Sequence, residues 1–443
     1  MKDAFDRYLR VLEGTERMPL PALARYQENL LDRLVRHAYE RIPFHRQRLQ
    51  CLFAASGDVD LSRWNEVPVL KRDDVISHGR QLRVAELEPE YGEIGEARTS
   101  GSTGVPLEIA TNGLVFFNSN ALLTRAARWW GLDTSRALAS LRRFTNEPAA
   151  PYPAGNIKQG WSYAAPEAPL YELELMTPVE QQLEWLARNK APYLLTQASG
   201  ALALAHAVTP DQGRALGIEM VLAIGETIPD GTREFLAERL GARLAGIYSC
   251  QEIGTIATEC ALEPHYHVAA ENALVEILDD NGRDVAPGER GRVVVTGLYN
   301  YVMPFIRYEI GDIALAGRCP CSCGRTLPVI AGIEGRARSM FVFRDGRRVW
   351  PRNALIRPMH AFVPFRRYQL VQLDYETIEF RYTGDDSGRE PDLAGLNAHV
   401  RQVFHPSATI RIVEVESLAP GQNGKFEPFL SHVSASLRSA ARQ

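Results

Sequence analysis

Apolar positions at Leu30, Leu31, Leu34, Val35, Ala38 and Tyr39 recur at the spacing of one helix face, so residues 21–50 are expected to be helical until Pro43 interrupts the pattern. A connector carrying proline and charge follows, running from Glu66 through Pro68 to Lys71. Between residues 111 and 335, short β-branched runs alternate with helical segments, the signature of an α/β fold with internal sheets. Helices are expected at 180–187 and 232–240, and strands at 193–196 and 243–248. The runs 273–278 and 291–296 read as paired strands, with Asp280, Asn281 and Gly282 as turn residues between them. The most apolar stretch, from Ala201 to His206, reads as a buried helix.

The texture changes near residue 336. Phe341–Phe343, Gly346 and Val349–Trp350 suggest a hairpin, followed by strands at 377–382 and 409–413 with a helix near 392–404 between them. That order suits a small α+β domain. A chain of 443 residues is too long for one compact core. The expected division is an N-terminal core domain at 1–335 and a C-terminal lid domain at 336–443, without internal repeats or low-complexity tracts.

Composition narrows the class. With 45% hydrophobic and 23% charged residues the chain is an ordinary globular protein rather than a disordered one. A net charge of −4, from 50 basic and 54 acidic side chains, gives no field to attract a polyanion, so no nucleic-acid partner is expected. The first residues carry charge where a signal peptide needs an apolar run, and no stretch reaches the ~20 apolar residues of a membrane span. The reading is a cytoplasmic protein with no membrane partner; a homodimer is left open.

Candidate chemistry begins at Thr99, Ser100, Gly101, Ser102, Thr103 and Gly104, followed by Val105 and Pro106. Glycines allow backbone N–H groups to converge on an anion, and the hydroxyls add donors. The segment lacks the Lys-Ser/Thr ending of a P-loop, and taken alone it is more simply a surface Ser/Gly turn.

Its company changes that reading. Downstream stand Ile224-Gly225-Glu226-Thr227, Tyr248-Ser249-Cys250-Gln251-Glu252-Ile253-Gly254, the segment from Phe305 through Arg307 to Asp312, Ile333-Glu334-Gly335-Arg336, and Asn423-Gly424-Lys425. In this order the chain resembles the adenylate-forming superfamily, most closely its phenylacetate–CoA ligase-like branch, over nearly its whole length. The resemblance implies a large N-terminal α/β domain with internal β-sheets plus a small mobile C-terminal α+β domain. It implies that Thr99 to Gly104, Thr103 among them, wrap the β- and γ-phosphates of ATP. Gly225, Glu226 and Tyr248 would form the adenine pocket, and Glu252 would hold magnesium, whose preference for oxygen suits a carboxylate plus phosphates. Asp312 would accept from the ribose hydroxyls, and Arg336 would lie near the ribose or phosphate. Lys425 would reach the reacting carboxylate and α-phosphate, stabilising the charge that develops there. Arg307 reads as a structural ion-pair partner.

A second cluster comprises Cys260, His265, His267, Cys319, Cys321 and Cys323. Thiolates with an imidazole suit tetrahedral zinc, although the spacing is not that of a Cys-x-x-Cys knuckle and buried thiols without metal are the plainer alternative. Some members of the resembled branch carry a structural zinc, which by residue implies Cys260, Cys321, Cys323 and one histidine, either His265 or His267, with Cys319 surplus. Four protein ligands would close such a site to catalysis.

The chain departs from the family pattern around the expected hinge, where Ala337, Arg338 and Ser339 stand, and Arg338 is the hinge candidate. Ile356 stands where an acid is expected. The expected activity is ATP-dependent activation of a small carboxylic acid, with coenzyme A as the leading acyl acceptor and an amine or a carrier-protein thiol as alternatives. A nucleotide-binding protein without turnover is the competing class. Phe116, Phe117, Trp129, Trp130 and Phe144 are candidates to line an aryl pocket, against ordinary core packing.

Overall fold

The computed structural model describes residues 2–98, 107–144, 150–336, 339–349, 351, 357–385, 388–418 and 426–433. They form two compact units: a larger one of residues 1–226, 233–310 and 314–333, and a smaller one of 227–232, 311–313 and 334–443. Among the described residues no helix is long and apolar enough to cross a membrane.

The larger unit opens with α1 (Lys2–Thr15), α2 (Leu20–Arg41), α3 (Pro43–Leu49) and α4 (Arg72–His78). α1 was not among the expected elements, yet its buried Phe5, Leu9 and Leu12 follow helical spacing. Pro43 ends α2 and sits in the first turn of α3, where its missing N–H costs nothing.

The strands β1 (Ile94–Arg98) and β2 (Glu108–Asn112) form a separate two-stranded antiparallel sheet with Arg98 opposite Glu108. Residues 99–106, which join them, lie outside the described residues. Buried Asn112 anchors this hairpin: its amide donates to the Tyr91 carbonyl at 3.2 Å and its oxygen accepts from the Tyr301 N–H at 3.1 Å. The long helix α5 (Gly113–Trp129) follows directly.

The main sheet is built from β3 (Leu138–Arg142), β4 (Asn156–Gln159), β5 (Pro169–Glu174), β6 (Tyr193–Thr196), β7 (Met220–Ile224), β8 (Arg243–Cys250), β9 (Gly254–Glu259), β10 (Tyr266–Val268), β11 (Ala273–Leu278), β12 (Arg290–Gly297), β13 (Tyr308–Ala316) and β14 (Val329–Arg336). Their order is β11-β12-β13-β14-β10-β9-β8-β7-β6-β3-β5-β4. The block β5-β3-β6-β7-β8 is parallel, whereas β8-β9-β10-β14 and β11-β12 are antiparallel. Connections within the parallel block run through α6 (Val179–Asn189), α7 (Ala198–His206), α8 (Pro210–Ala215) and α9 (Thr232–Leu240). Continuous burial of Met220, Val221, Leu222 and Ala223 in β7 reflects a strand covered on both faces.

One buried side chain ties the opening segments to this sheet. Arg307 has a left-handed backbone, φ 48°, uncommon for a non-glycine residue. Its guanidinium donates to the Trp64, Asn65 and Val67 carbonyls and pairs with Glu276 at 2.8 Å. Leu70 bridges to Tyr308, with its N–H on the Arg307 carbonyl and its own carbonyl taking the Glu309 N–H. Arg307 is thus the structural ion-pair partner expected from the sequence.

The smaller unit contains the hairpin β15 (Phe341–Val342) and β16 (Arg348–Val349), then β17 (Phe365–Gln372), β18 (Thr377–Gly384), α10 (Leu393–Val403), β19 (Thr409–Glu414) and β20 (Phe429–Ser431). A four-stranded sheet, β19-β18-β17-β20, packs Leu370, Ile378 and Phe380 with Leu396, Val400 and Phe404 of the α10 segment. Buried Gln372 links hairpin and sheet, accepting from the Val342 N–H and donating to its carbonyl.

Candidate active site

In α/β sheets ligands gather beyond the carboxyl ends of the parallel strands. Two of the expected motifs stand there. Gly225 follows β7 with φ 72°, a left-handed conformation that favours glycine, and its backbone is exposed. The next carboxylate, Glu226, accepts from the Ser199 N–H at 2.9 Å and hydroxyl at 3.0 Å, so it caps the first turn of α7. Tyr248 lies near the end of β8, opposite Ala257, and is packed into the core with Ile253 and Ile256.

Glu252 occupies the tight turn between β8 and β9. Gly254 closes that turn at φ 84°, and a Cβ there would come within 2.6 Å of Ser119 Oγ. The turn's backbone is held from below by a buried amide chain. Asn272 donates to the Thr255 carbonyl at 2.6 Å, Asn118 donates to Asn272 at 2.5 Å, and the Tyr8 hydroxyl of α1 donates to Asn118 at 2.5 Å.

The Glu252 environment stands apart. Every other buried acid among the described residues is paired with a cation: Glu16 and Arg325, Glu172 with Arg142 and Lys158, Glu259 and Arg233, Glu271 and Arg125, Glu276 and Arg307, Asp312 and Arg336, Glu379 and Arg381. Glu252, only 8% exposed, has no ion pair among the described residues; its one polar contact is the Tyr308 hydroxyl at 3.4 Å. A nearly buried carboxylate without a cation is costly unless a ligand supplies the charge. This is the environment a metal-binding carboxylate needs.

Within the smaller unit, Arg336 lies 3.0 Å from Asp312. Thr99, Ser100, Gly101, Ser102, Thr103, Gly104 and Lys425 lie outside the described residues, as do Arg338 and Ile356. The aromatic candidates divide among different surroundings. Trp130 belongs to the core with Trp161 and Tyr193, Phe117 packs on Phe5 and Tyr163, and Phe116 is 57% exposed. Arg125 and Arg325 both lie over the Trp129 ring, which stands edge-to-face with His267, while Arg142 covers Phe144.

The cysteine–histidine cluster assembles within the larger unit. The β9–β10 hairpin presents Cys260, His265 and His267, and the β13–β14 connection presents Cys321 and Cys323. Ligand atoms of Cys260, His265, His267 and Cys321 all lie within 4.8 Å of one another. Cys323 Sγ stands outside that set, 3.3 Å from His267 Nε2. The arrangement therefore differs from the expected one histidine and three thiols, because the hairpin turn brings both imidazoles to the same side. His265 Nε2 is buried without a hydrogen-bond partner, and the Leu262 and Cys323 N–H groups point at Cys260 Sγ and Cys321 Sγ at 3.4 Å. Burial pushes the Cys321 thiol up to about 12 and His267 down to about 4, so the imidazole is kept neutral for ligation. Cys319 turns away, donating to the Thr326 carbonyl at 3.2 Å.

Sequence reasoning did not single out Tyr308, Asn272 or Asn118. Tyr308 lies inside a recognised motif, so its position was visible but its contact with Glu252 was not.

No protein-family model matches the chain. A phenylacetate-coenzyme A ligase of Thermus thermophilus is 27% identical over 380 residues, covering 80% of this chain and 79% of that protein. A phenylacetate-coenzyme A ligase of Pseudomonas putida is 24% identical over 355 residues, covering 77% and 76%. The crystal structure of 2-hydroxyisobutyryl-CoA ligase in the postadenylation state, in complex with R3-HIB-AMP, superposes with a TM-score of 0.74 at 19% identity, covering 97% of this chain and 94% of that one. The fold is that of the adenylate-forming enzymes. In sequence the chain is similar to the phenylacetate-coenzyme A ligases.

Proposed function

We propose that this protein activates a small carboxylic acid with ATP, releasing pyrophosphate, and passes the acyl group of the resulting acyl adenylate to coenzyme A. The observation that carries this reading is Glu252, the one buried acid among the described residues without an ion pair, in the turn that follows β8. Attack of the acid's carboxylate oxygen on the α-phosphorus forms the acyl–phosphate bond and breaks the bond to pyrophosphate. Attack of a thiol on the acyl carbon then releases AMP.

Glu252 is assigned to magnesium, which when bound neutralises phosphate charge as the leaving pyrophosphate departs. Thr99 to Gly104, including Thr103, are assigned to the β- and γ-phosphates. Gly225, with Glu226 fixing the neighbouring helix turn, offers backbone to the adenine, and Tyr248 offers a ring edge. Asp312 is assigned to the ribose and Arg336 to the ribose or phosphate. Lys425 is assigned to the α-phosphate, where a cation lowers the barrier more than it strengthens substrate binding.

Cys260, Cys321, His265 and His267 suit a tetrahedral structural zinc, with Cys323 as the remaining candidate ligand. Such an ion would staple the β9–β10 hairpin to the β13–β14 connection and leave no open position for substrate. The assigned compartment is the cytoplasm.

Acid-dependent exchange of labelled pyrophosphate into ATP, across aryl and alkyl acids, tests the first half-reaction. Absence of exchange over the whole panel would support the nucleotide-binding protein without turnover. AMP release with coenzyme A, amines or a carrier protein then identifies the acceptor.

A further inference from the structure

The Glu252 carboxylate meets the side chain of Tyr308, from a stretch of chain distant in sequence. The parallel bridge between Leu70 and Tyr308 places the start of α4 beside the first residue of β13. The Leu70 N–H meets the Arg307 carbonyl at 2.8 Å and the Glu309 N–H meets the Leu70 carbonyl at 2.9 Å, so this placement is rigid. Arg72, two residues on, lies near enough to the Tyr308 phenol to act on it electrostatically. The phenol, 2% exposed, donates to Glu252 Oε1 at 3.4 Å. That separation exceeds the ~2.7 Å of a strong O–H···O bond, and such contacts commonly tighten only when the ligand is present.

A phenol has one proton to give and a carboxylate has only lone pairs, so in this contact Tyr308 donates and Glu252 Oε1 accepts. Glu252 can therefore present only one oxygen freely. A phenol on Oε1 leaves Oε2 for a cation, and a nearby Arg72 cation disfavours turning the phenol proton toward itself.

We propose that Arg72 and Tyr308 form a positioning relay that orients Glu252 for metal binding. The inference rests on the reading of Glu252 as the magnesium carboxylate. Neither residue touches substrate; both act through the acid. Outer partners of metal ligands typically affect metal affinity by roughly 10–100-fold when removed.

Tyr308→Phe keeps the ring and removes one oxygen, so it isolates the relay from core packing. The test is Mn²⁺ binding to the full chain with a non-hydrolysable ATP analogue, followed by the free-Mn²⁺ paramagnetic resonance signal. The concentration for half-saturation is expected to rise roughly 10-fold or more in Tyr308→Phe, and in the same direction by less in Arg72→Met. The melting temperature should stay close to wild type, and the double variant should bind no worse than Tyr308→Phe alone. Wild-type Mn²⁺ affinity in Tyr308→Phe, with binding lost in Glu252→Gln, overturns the relay and leaves the Glu252 assignment standing. Wild-type affinity in Glu252→Gln overturns that assignment and the relay together. If Tyr308→Phe does not fold, unchanged binding in Arg72→Met overturns the relay.

Discussion

Arg336 Nε lies 3.0 Å from Asp312 Oδ1, which joins the end of β14 to the middle of β13 inside the smaller unit. The aspartate side chain is 10% exposed and the arginine 42%, so the acid is the fixed member and the guanidinium the accessible one. A ribose bound at Asp312 would share the carboxylate with Arg336. Removing either side chain therefore weakens the nucleotide site twice, once directly and once through its partner. Asp312→Ala and Arg336→Ala should each raise the KM for ATP by roughly 10–100-fold, the range for a hydrogen bond to a charged group. Steady-state exchange kinetics at varied ATP check this, and an unchanged KM in both variants removes these residues from the nucleotide site.

Lys425 is assigned to the developing charge at the α-phosphate. Lys425→Ala should slow pyrophosphate exchange by at least ~10²-fold while leaving equilibrium ATP binding nearly intact. Rapid-quench measurement of adenylate formation separates the two effects. Exchange at the wild-type rate refutes the assignment.

The cysteine–histidine cluster should carry about one zinc per purified chain, and Cys260→Ser or Cys321→Ser should drop that below about one per four chains. Elemental analysis measures it. Trp129 provides an independent optical signal, because its ring lies 5.7 Å from that of His267. Slow chelation should shift its emission in wild type, and the shift should vanish in a Trp129→Phe variant. His265→Ala and Cys323→Ser distinguish the two ligand sets, since only the true ligand's loss releases the ion.

His45 gives the protein a defined acid weakness. It is fully buried, with Nε2 on the Pro304 carbonyl at 2.9 Å and Nδ1 facing the Arg48 guanidinium at 3.1 Å. Arginine only donates, so Nδ1 must accept and the ring must be neutral. Burial lowers its pKa from 6.5 to about 3. Between those values the unfolded chain binds a proton that the folded chain refuses, so stability falls as pH falls through the window and is regained as pH rises. The contribution is at most about 1.4 kcal/mol per pH unit. Denaturant unfolding between pH 6.5 and 4.5 should show a shallower pH slope in His45→Gln than in wild type. Equal slopes would refute the linkage.

Much of this fold was legible because its strands are short β-branched runs with clear ends. The helix at 232–240 and the strand at 273–278 lie where the residue pattern places them, as Thr232–Leu240 and Ala273–Leu278. Helix α1 was legible in principle from Phe5, Leu9 and Leu12 but is masked by the charges among them. The grouping of residues 227–232 and 311–313 with the smaller unit could not be read, since it depends on contacts distant in sequence. The candidate site divides in the same way. Motif order singled out Glu252, whereas its lack of an ion pair among the described residues is a fact about three dimensions. Both imidazoles of the cysteine cluster face one point because the turn after Cys260 folds back, with the Cys260 N–H on the His265 carbonyl at 2.8 Å.

Among the described residues the small ribbon of Ile94–Arg98 and Glu108–Asn112 pairs only with itself. A change in the length of the segment between its strands would propagate no slip into the twelve-stranded sheet, because no third strand shares the ribbon's ladder. Versions of different length or hydroxyl content could be inserted between those strands, and the rate of pyrophosphate exchange would then test the assignment of Thr99 to Gly104 to the phosphates.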